Sequence, residues 1–488
     1  MLLFLNVLFP VIMGAILPLF RMKSRTLRSV YVMLVTCITS ALALYNVFSS
    51  PSDTAFVFLH LTEKAVCMLQ LDDMGRLFTG LIAFLWPMAV LYSLEYMEHE
   101  GRENSFFAWY TMTYGITLGI AMSGDLITLY VFYELLTLAT LPLVMHRLIN
   151  GRAAAGLKYL YYSLLGAALA FAGIMLVFFY GDSTSFTYGG VLTGLADEQK
   201  PLLRFGYLLA FLGMGVKAAV FPLHDWLPSV SVAPTPVTAL LHAVAVVKAG
   251  AIAVIRVTFY AFGPALIAGT WAQALPFCLA AFTVVFGSAM AVKEKHFKRR
   301  LAYSTVSNLS YIVMGALLLT PEGLDGALNH LIFHALMKIT LFCACGAIMT
   351  RTGREYVSEL HGLGHAMPVT FVTLTVAAVS LVGIPPFIGF ISKWKLAQAG
   401  VLAGGFYSII APASLILSAI LTAVYLFIPV CYAWFPAKDI PESKPEGSLD
   451  PTWRMKLPLI IWCAAILILS VYSAPLQSFI SEIARGAM

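Results

Sequence analysis

The chain has 488 residues, of which 60% are hydrophobic and 11% charged, and its mean hydropathy is +0.86. Soluble globular chains hold roughly 45–50% apolar and about 25% charged residues, so this composition excludes a water-soluble enzyme, a nucleic-acid binder and a disordered chain. The net charge of +6 marks no nucleic-acid partner, because the basic residues are scattered among short loops.

About 20 apolar residues span the hydrocarbon core as a helix, and fourteen apolar segments follow along the chain. They run near 2–20, 28–48, 74–96, 107–122, 124–145, 158–180, 203–221, 236–259, 272–292, 301–320, 324–349, 367–398, 404–435 and 455–478. The expected fold is all-α: a polytopic membrane protein embedded in the lipid bilayer. The segments at 367–398 and 404–435 are long, which predicts tilt or a break. The first segment is not expected to be a signal peptide, since Arg21, Lys23, Arg25 and Arg28 follow its apolar run instead of preceding it. The seven cysteines are odd in number and almost all sit in apolar runs. They are expected to be small apolar fillers, and the Cys343/Cys345 pair has no matching partner for a metal site.

Loop charge sets the orientation. Alternating from a cytoplasmic 21–28, the inside loops become 97–106, 146–158, 222–235, 293–300, 350–366 and 436–454. With Lys456 at the edge of the last, these loops hold most of the 30 Lys and Arg residues. Both termini are then expected on the outer face of the cytoplasmic membrane, and an even number of crossings requires that they share a side.

Charges inside spans cost about 2.5–3.5 kcal/mol each on insertion scales, yet several stand near span centres. They are Glu134 in FYELLTL, Lys217 in GMGVKAAVF, His242 and Lys248 in LLHAVAVVKAG, and His330, His334 and Lys338 in NHLIFHALMK. Lys393 follows a proline pair in GIPPFIGFISKW. A lone histidine there is ordinarily a helix–helix hydrogen bond, and Lys395 and Arg256 are expected to snorkel to the headgroups. Four central charges on four helices resist so bland an account. His330, His334 and Lys338 recur every four residues and share one helix face, the geometry of a proton relay. Histidine titrates near neutral pH, and desolvation pulls a buried lysine toward it. Glu134 is the natural partner of a lysine, with Lys217 the first candidate.

Proline and glycine interrupt the chain beside two of these lysines. Pro222, Pro228, Pro234 and Pro236 follow Lys217, and Gly383, Pro385, Pro386 and Gly389 precede Lys393. Irregular backbone at membrane depth is tolerated where it lines protein or a wet cavity. The matched pattern suggests an inverted repeat around a transport path, with halves at 107–259 and 272–435. The N-terminal segment 1–106 holds three helices, and 455–478 is a C-terminal transmembrane helix.

The stretches FYELLTLATLPL, KAAVFPLHDWLPSVSVAPTPVTALLHAVAVVKAG, FKRRLAYSTVSNLSYIVMG, HLIFHALMKITLF and MPVTFVTLTVAAVSLVGIPPFIGFISKW carry a family resemblance. The chain resembles the antiporter-like, proton-translocating subunits shared by respiratory complex I (NADH dehydrogenase), group 4 membrane-bound hydrogenases and Mrp-type Na+/H+ antiporters. The resemblance implies fourteen transmembrane helices with two inverted five-helix repeats, and with helices seven and twelve broken. It puts Glu134 at the helix-five glutamate and Lys217 at the helix-seven lysine. Lys248, with His242 before it, takes the helix-eight position. Lys338, with His330 and His334 upstream, takes the central helix-eleven position, and Lys393 the exit-side position of helix twelve. Two residues depart from the family pattern. His296 stands where an aspartate is usual, and Asn308 where a histidine is common. Both are expected at or near a loop edge, touching partner contacts or local coupling more than the central path. The chain is also expected to lack the long lateral helix of the largest complex I member.

The leading expectation is a proton-translocating subunit of a larger complex, partnered by other membrane subunits. It would be driven by their redox chemistry or by exchange with Na+. No four-cysteine iron–sulfur spacing, dinucleotide fingerprint or flavin site is visible, so no cofactor and no catalysis by the chain alone are expected. The alternative is a stand-alone secondary transporter of a small solute, which would place Asn, Ser, Thr or carboxylates at the midplane. Lys and His dominate there instead. A membrane enzyme is a third class, with His224, Asp225 and the 350–366 loop as its only candidate groups and no nucleophile arrangement or metal spacing.

Overall fold

The computed structural model describes residues 1–488 except 20, 21, 23, 52, 53, 63, 147–151, 436–447 and 488. Arg21, Lys23, part of the expected 146–158 loop and most of the 436–454 loop therefore lie outside the described residues. Helices dominate, because lipid offers no partner for backbone N–H and C=O groups. In chain order they are α1 (Leu2–Ile16), α2 (Arg25–Ser49), α3 (Asp73–Glu100), α4 (Glu103–Ala121), α5 (Leu126–Val144) and α6 (Arg152–Tyr180). Next come α7 (Lys200–Gly215), α8 (Trp226–Ser229), α9 (Thr235–Ala243), α10 (Val246–Arg256), α11 (Pro264–Ile267), α12 (Trp271–Lys293) and α13 (Phe297–Ala316). The chain closes with α14 (Pro321–Thr352), α15 (Leu363–Ala366), α16 (Pro368–Val382), α17 (Ile388–Leu402), α18 (Tyr407–Trp434), α19 (Trp453–Val471) and α20 (Ala474–Gly486).

Each of the fourteen expected segments overlaps at least one of these helices. Among the described residues, nine helical stretches are long and apolar enough to cross a membrane, and α1 and α16 are shorter apolar helices. The two numbers differ for physical reasons. Breaks shorten α7 and α17, while α13 carries a polar row of Ser304, Ser307, Asn308 and Ser310 that neighbours bury. Two stretches form the centre: α14 and the 235–262 stretch are buried through their whole apolar windows. The flanking α2, α6 and α19 turn much of their apolar surface outward, as helices facing lipid do.

Side-chain oxygens cap the helix starts. Asp125 accepts from the Ile127 and Thr128 amides at 2.9 and 2.8 Å, and Thr320 from the Gly323 amide at 3.1 Å, satisfying donors that the first turn leaves free. A hairpin of β1 (Ala55–His60) and β2 (Val66–Gln70) was not visible in the hydropathy pattern. It serves as a brace. The Gln70 amide donates to Met122 O at 2.7 Å and the Gly124 amide to Met68 O at 3.1 Å, pinning the α4–α5 corner.

Both expected breaks are present. After α7 the backbone runs irregularly from Val216 to Asp225, and Trp226 Nε1 ties it back by donating to Val216 O at 2.8 Å. After α16, Gly383 at φ +92° ends the helix, and α17 resumes at Ile388. The Phe221–Pro222 and Pro385–Pro386 bonds are cis. A third break, at Val244–Ala245, separates α9 from α10 and so His242 from Lys248. No proline or glycine marks it in sequence. A π-helical turn, Val257–Phe262, follows α10. Of the two alternatives for 404–435, the break is absent: the stretch is the single helix α18, with Pro412 and Pro429 inside. The last apolar segment ends earlier than 478: α19 stops at Val471, and α20 is a separate amphipathic helix that buries Ile480, Ile483 and Ala484.

Arg256 does not snorkel. Its guanidinium is buried and grips both Asp72 oxygens at 2.5 and 2.6 Å. The Phe186 and Tyr260 rings lie 4.9 and 4.6 Å from it. The pair joins the start of α3 to the end of α10. A paired, bidentate charge is at home where a lone one would have to reach for water.

The α7 break is packed against α10 without slack. A Cβ added at Gly250 would lie 2.4 Å from Ala218 N and 2.5 Å from Lys217 C, whereas one at Gly80 meets nothing within 4 Å. Gly250→Ala is therefore expected to lower stability by about 1–3 kcal/mol through overpacking. Gly80→Ala, in the interior of α3, should raise it by roughly 0.5–1 kcal/mol. Thermal unfolding of the two purified variants in detergent checks the opposite signs.

Candidate proton path

The stripe expected on α14 is formed and closed off. His330, His334 and Lys338 are each 0% exposed, as are His242 and Lys248 opposite them. Lys248 Nζ and His334 Nδ1 are 2.5 Å apart, joining α10 to α14. The His334 and His330 rings stack with centroids 5.6 Å apart. Lys338 Nζ donates to Ser304 Oγ at 2.6 Å and to Leu301 O at 3.0 Å on α13. The Tyr425 hydroxyl donates to the same Ser304 at 2.8 Å.

His330 has a partner on each ring nitrogen. Nε2 lies 3.2 Å from Asn308 Oδ1 and Nδ1 lies 2.9 Å from Ser392 Oγ. Asn308 Nδ2 donates to Ser304 O at 2.7 Å, which fixes its amide oxygen toward His330. An amide oxygen only accepts, so Nε2 carries a proton and Nδ1 of the neutral ring accepts from Ser392. The free capacity of this histidine is therefore at Nδ1. Ser392 Oγ also lies 3.3 Å from Gly389 O, an alternative acceptor for its hydroxyl.

Lys393 is half-buried on α17, and its Nζ donates to Leu381 O at 2.7 Å and Val382 O at 3.0 Å. These are carbonyls of the last turn of α16, where the helix dipole favours a cation. The Tyr311 ring is 5.5 Å from Lys393 and 5.2 Å from His330.

The first-half pair differs from expectation in its contacts. No ion pair joins Glu134 to Lys217. Lys217 Nζ instead donates to Tyr133 O and stands 3.5 Å over the Tyr133 ring. Glu134 is one residue along α5, close enough for each charge to act on the other, and its buried Oε1 has no protein partner. Both nitrogens of His242 and Nε2 of His334 also lack one. His242 stacks on Phe342 at 4.5 Å.

Asn308 is not at a loop edge. It sits in the middle of α13, wholly buried, against His330. Its role was missed with those of Ser304, Ser392 and Tyr425. The signal was there for α13: Ser304 and Asn308 are four residues apart, on one face of the helix. Ser392 and Tyr425 carry no comparable pattern. His296 does lie at a loop, where its Nε2 meets Glu355 Oε2 at 3.3 Å. Burial holds its imidazole below the usual pKa, against the opposing pull of Glu355.

The sequence profile described as "NADH:quinone oxidoreductase/Mrp antiporter, TM" matches residues 123–421. Among curated relatives, NADH-quinone oxidoreductase subunit N of Desulforudis audaxviator (strain MP104C) is 31% identical over 435 residues, covering 86% of this chain and 84% of the relative. Na(+)/H(+) antiporter subunit A1 of Staphylococcus haemolyticus (strain JCSC1435) is 31% identical over 442 residues. There the match covers 86% of this chain and 54% of the relative, so the chain spans about half of that longer protein. Among solved structures, a chain of the Mrp complex from Dietzia sp. DQ12-45-1b superposes with TM-score 0.88 at 26% identity, over 100% of this chain and 52% of that one. A chain of respiratory complex I from Thermus thermophilus gives 0.83 at 23% identity with both chains fully covered, a likeness of fold. With the matched profile spanning more than half of its length, and with α5 to α18 supplying the helices it covers, the chain belongs to the NADH:quinone oxidoreductase/Mrp antiporter transmembrane family.

Proposed function

We propose that the chain is a proton-translocating, antiporter-like subunit of a multi-subunit membrane complex, of the complex I-like redox kind or the Mrp Na+/H+ antiporter kind. The observation that carries this reading is the Lys248–His334 contact at 2.5 Å, which joins α10 to α14 by a pair of groups able to exchange a proton. The relatives are named as subunits, and nothing among them favours a stand-alone transporter.

On this reading the path runs from Glu134 and Lys217, through Lys248 and His334, to His330, Lys338 and Lys393. His242, with two unpartnered nitrogens, stands beside it. Two ammonium groups near each other in low dielectric repel strongly, so a proton held by Lys217 disfavours one on Lys248, and Lys248 one on Lys338. Moving the Lys217 ammonium between Tyr133 O and the unpartnered Glu134 oxygen switches that influence. The switch shifts the populations of two charge arrangements. Partner subunits would drive it by redox chemistry or by Na+ exchange.

The fourteen segments are then fourteen crossings, with two inverted halves at 107–259 and 272–435. Both termini face outward from the cytoplasmic membrane. The halves are supported by the two breaks, each beside a lysine and each sealed by a glycine: Gly250 against Lys217, and Gly389 against Ser380 O. The orientation is supported by the basic loop 293–300.

Glu134→Gln, Lys217→Ala and Lys338→Ala are each expected to remove most translocation in inverted vesicles while the complex assembles normally on a native gel. Normal translocation by fully assembled Lys338→Ala complex would refute the path. Asn308→Ala leaves the His330 Nε2–H without its acceptor. A buried unsatisfied group costs about 1–3 kcal/mol, so this variant should translocate more slowly, with less effect on assembly than on rate. For orientation, a cysteine placed in 293–300, in a background free of native cysteines, should react with an impermeant thiol label only from the cytoplasmic side.

A further inference from the structure

The first turns of α14, far from Lys338, carry a polar group that the path above does not use. Lys395 Nζ is 2.7 Å from Asp325 Oδ2, and Asn329 Nδ2 donates to Asp325 Oδ1 at 2.9 Å. Lys395 was expected to snorkel; it is held instead between α17 and α14. The two side chains are 21% and 15% exposed, so the pair stands where the closed interior meets its surroundings. Asn329 beside it is 0% exposed, and its Oδ1 has no protein partner. Helix α17 carries both Lys395 and the serine that meets the stripe. Ser392, whose Oγ is 2.9 Å from His330 Nδ1, lies three residues before Lys395 and hence one turn away on the same face. Leu396 fills the apolar side of this seam, where a Cβ on Gly326 would lie 3.0 Å from it.

We propose that Asp325 is the proton-release site of the second half of the chain, closed between turnovers by Lys395 and fed from His330 by way of Ser392. The inference rests on the proton path proposed above and on its orientation, which puts this end of α14 at the outer face. His330 first takes up a second proton from the path, at Nδ1. In the release step that N–H bond breaks, and Ser392 takes the proton as it gives up its own to water in the one-turn interval between it and Asp325. That water hands a proton on, and the Asp325 carboxylate gains an O–H bond. A neutral carboxyl no longer holds the ammonium, so the pair opens. Asp325 then passes its proton to outer water, and the pair closes again. One proton enters and one leaves.

The test uses the intact complex in inverted vesicles. The double variant Asp325→Asn/Lys395→Gln leaves neither charge alone, so a merely structural pair would tolerate it. As a release site it should instead lose translocation by about a hundredfold, the scale of removing a positioned proton carrier, with assembly unchanged. Asp325→Glu, which restores a carboxylate, should retain most of the rate. Normal translocation by the double variant would overturn the proposal, as would an equal loss in Asp325→Glu. Lys338→Ala in the same preparation separates the two levels: if it pumps normally, the path has failed and not the release site alone.

Discussion

An ammonium taken out of water is unfavourable unless protein oxygens and rings replace its hydration. That constraint organises the interior of this protein. Lys217 has a backbone carbonyl and the Tyr133 ring, Lys338 a carbonyl and a serine, and Lys393 the carbonyls of the last turn of α16. Lys298 reaches Ala233 O at 2.5 Å. None of these lysines is locked to a carboxylate. A neutral oxygen stabilises an ammonium without fixing it there, because it binds the uncharged amine too. Arg256 and Arg152, by contrast, are gripped in two-pronged pairs by Asp72 and Glu100. Such two-pronged pairs hold helices together, whereas the four lysines above keep only neutral partners.

Helices were legible because hydropathy records what lipid requires. Breaks were legible where proline and glycine had to be present, as at Pro222 and Gly383. The α9–α10 break was hidden because Val244 and Ala245 look like any helical pair; in the fold, α9 before it packs against α14 and α3. Hairpin β1–β2 was hidden because it lies outside the spans, where hydropathy carries no signal for it.

The polar groups of the site were legible one helix at a time. Spacing on α14 placed His330, His334 and Lys338 together, since one helix sets their order. Which residue faces each of them depends on how helices cross, and a single sequence does not record that. Asn308 was thus assigned to an edge, Glu134 was given Lys217 as a direct partner, and Arg256 and Lys395 were left to the headgroups although Asp72 and Asp325 stood ready elsewhere in the chain.

Lys393 has a mechanical side. Its ammonium closes the broken end of α16, and charge at a helix terminus contributes about 0.3–1 kcal/mol of local stability at exposed sites, more when partly buried. On the proposed path, a Lys393 nitrogen that gave up its charge would deprive the end of α16 of that electrostatic clasp and leave it only the weaker grip of an amine. The helix tip would then loosen and tighten in step with the charge on a single side chain. The segment from Gly383 to Phe387, hinged by a left-handed glycine, is where such breathing would concentrate, so the passing ion would leave an imprint in the backbone.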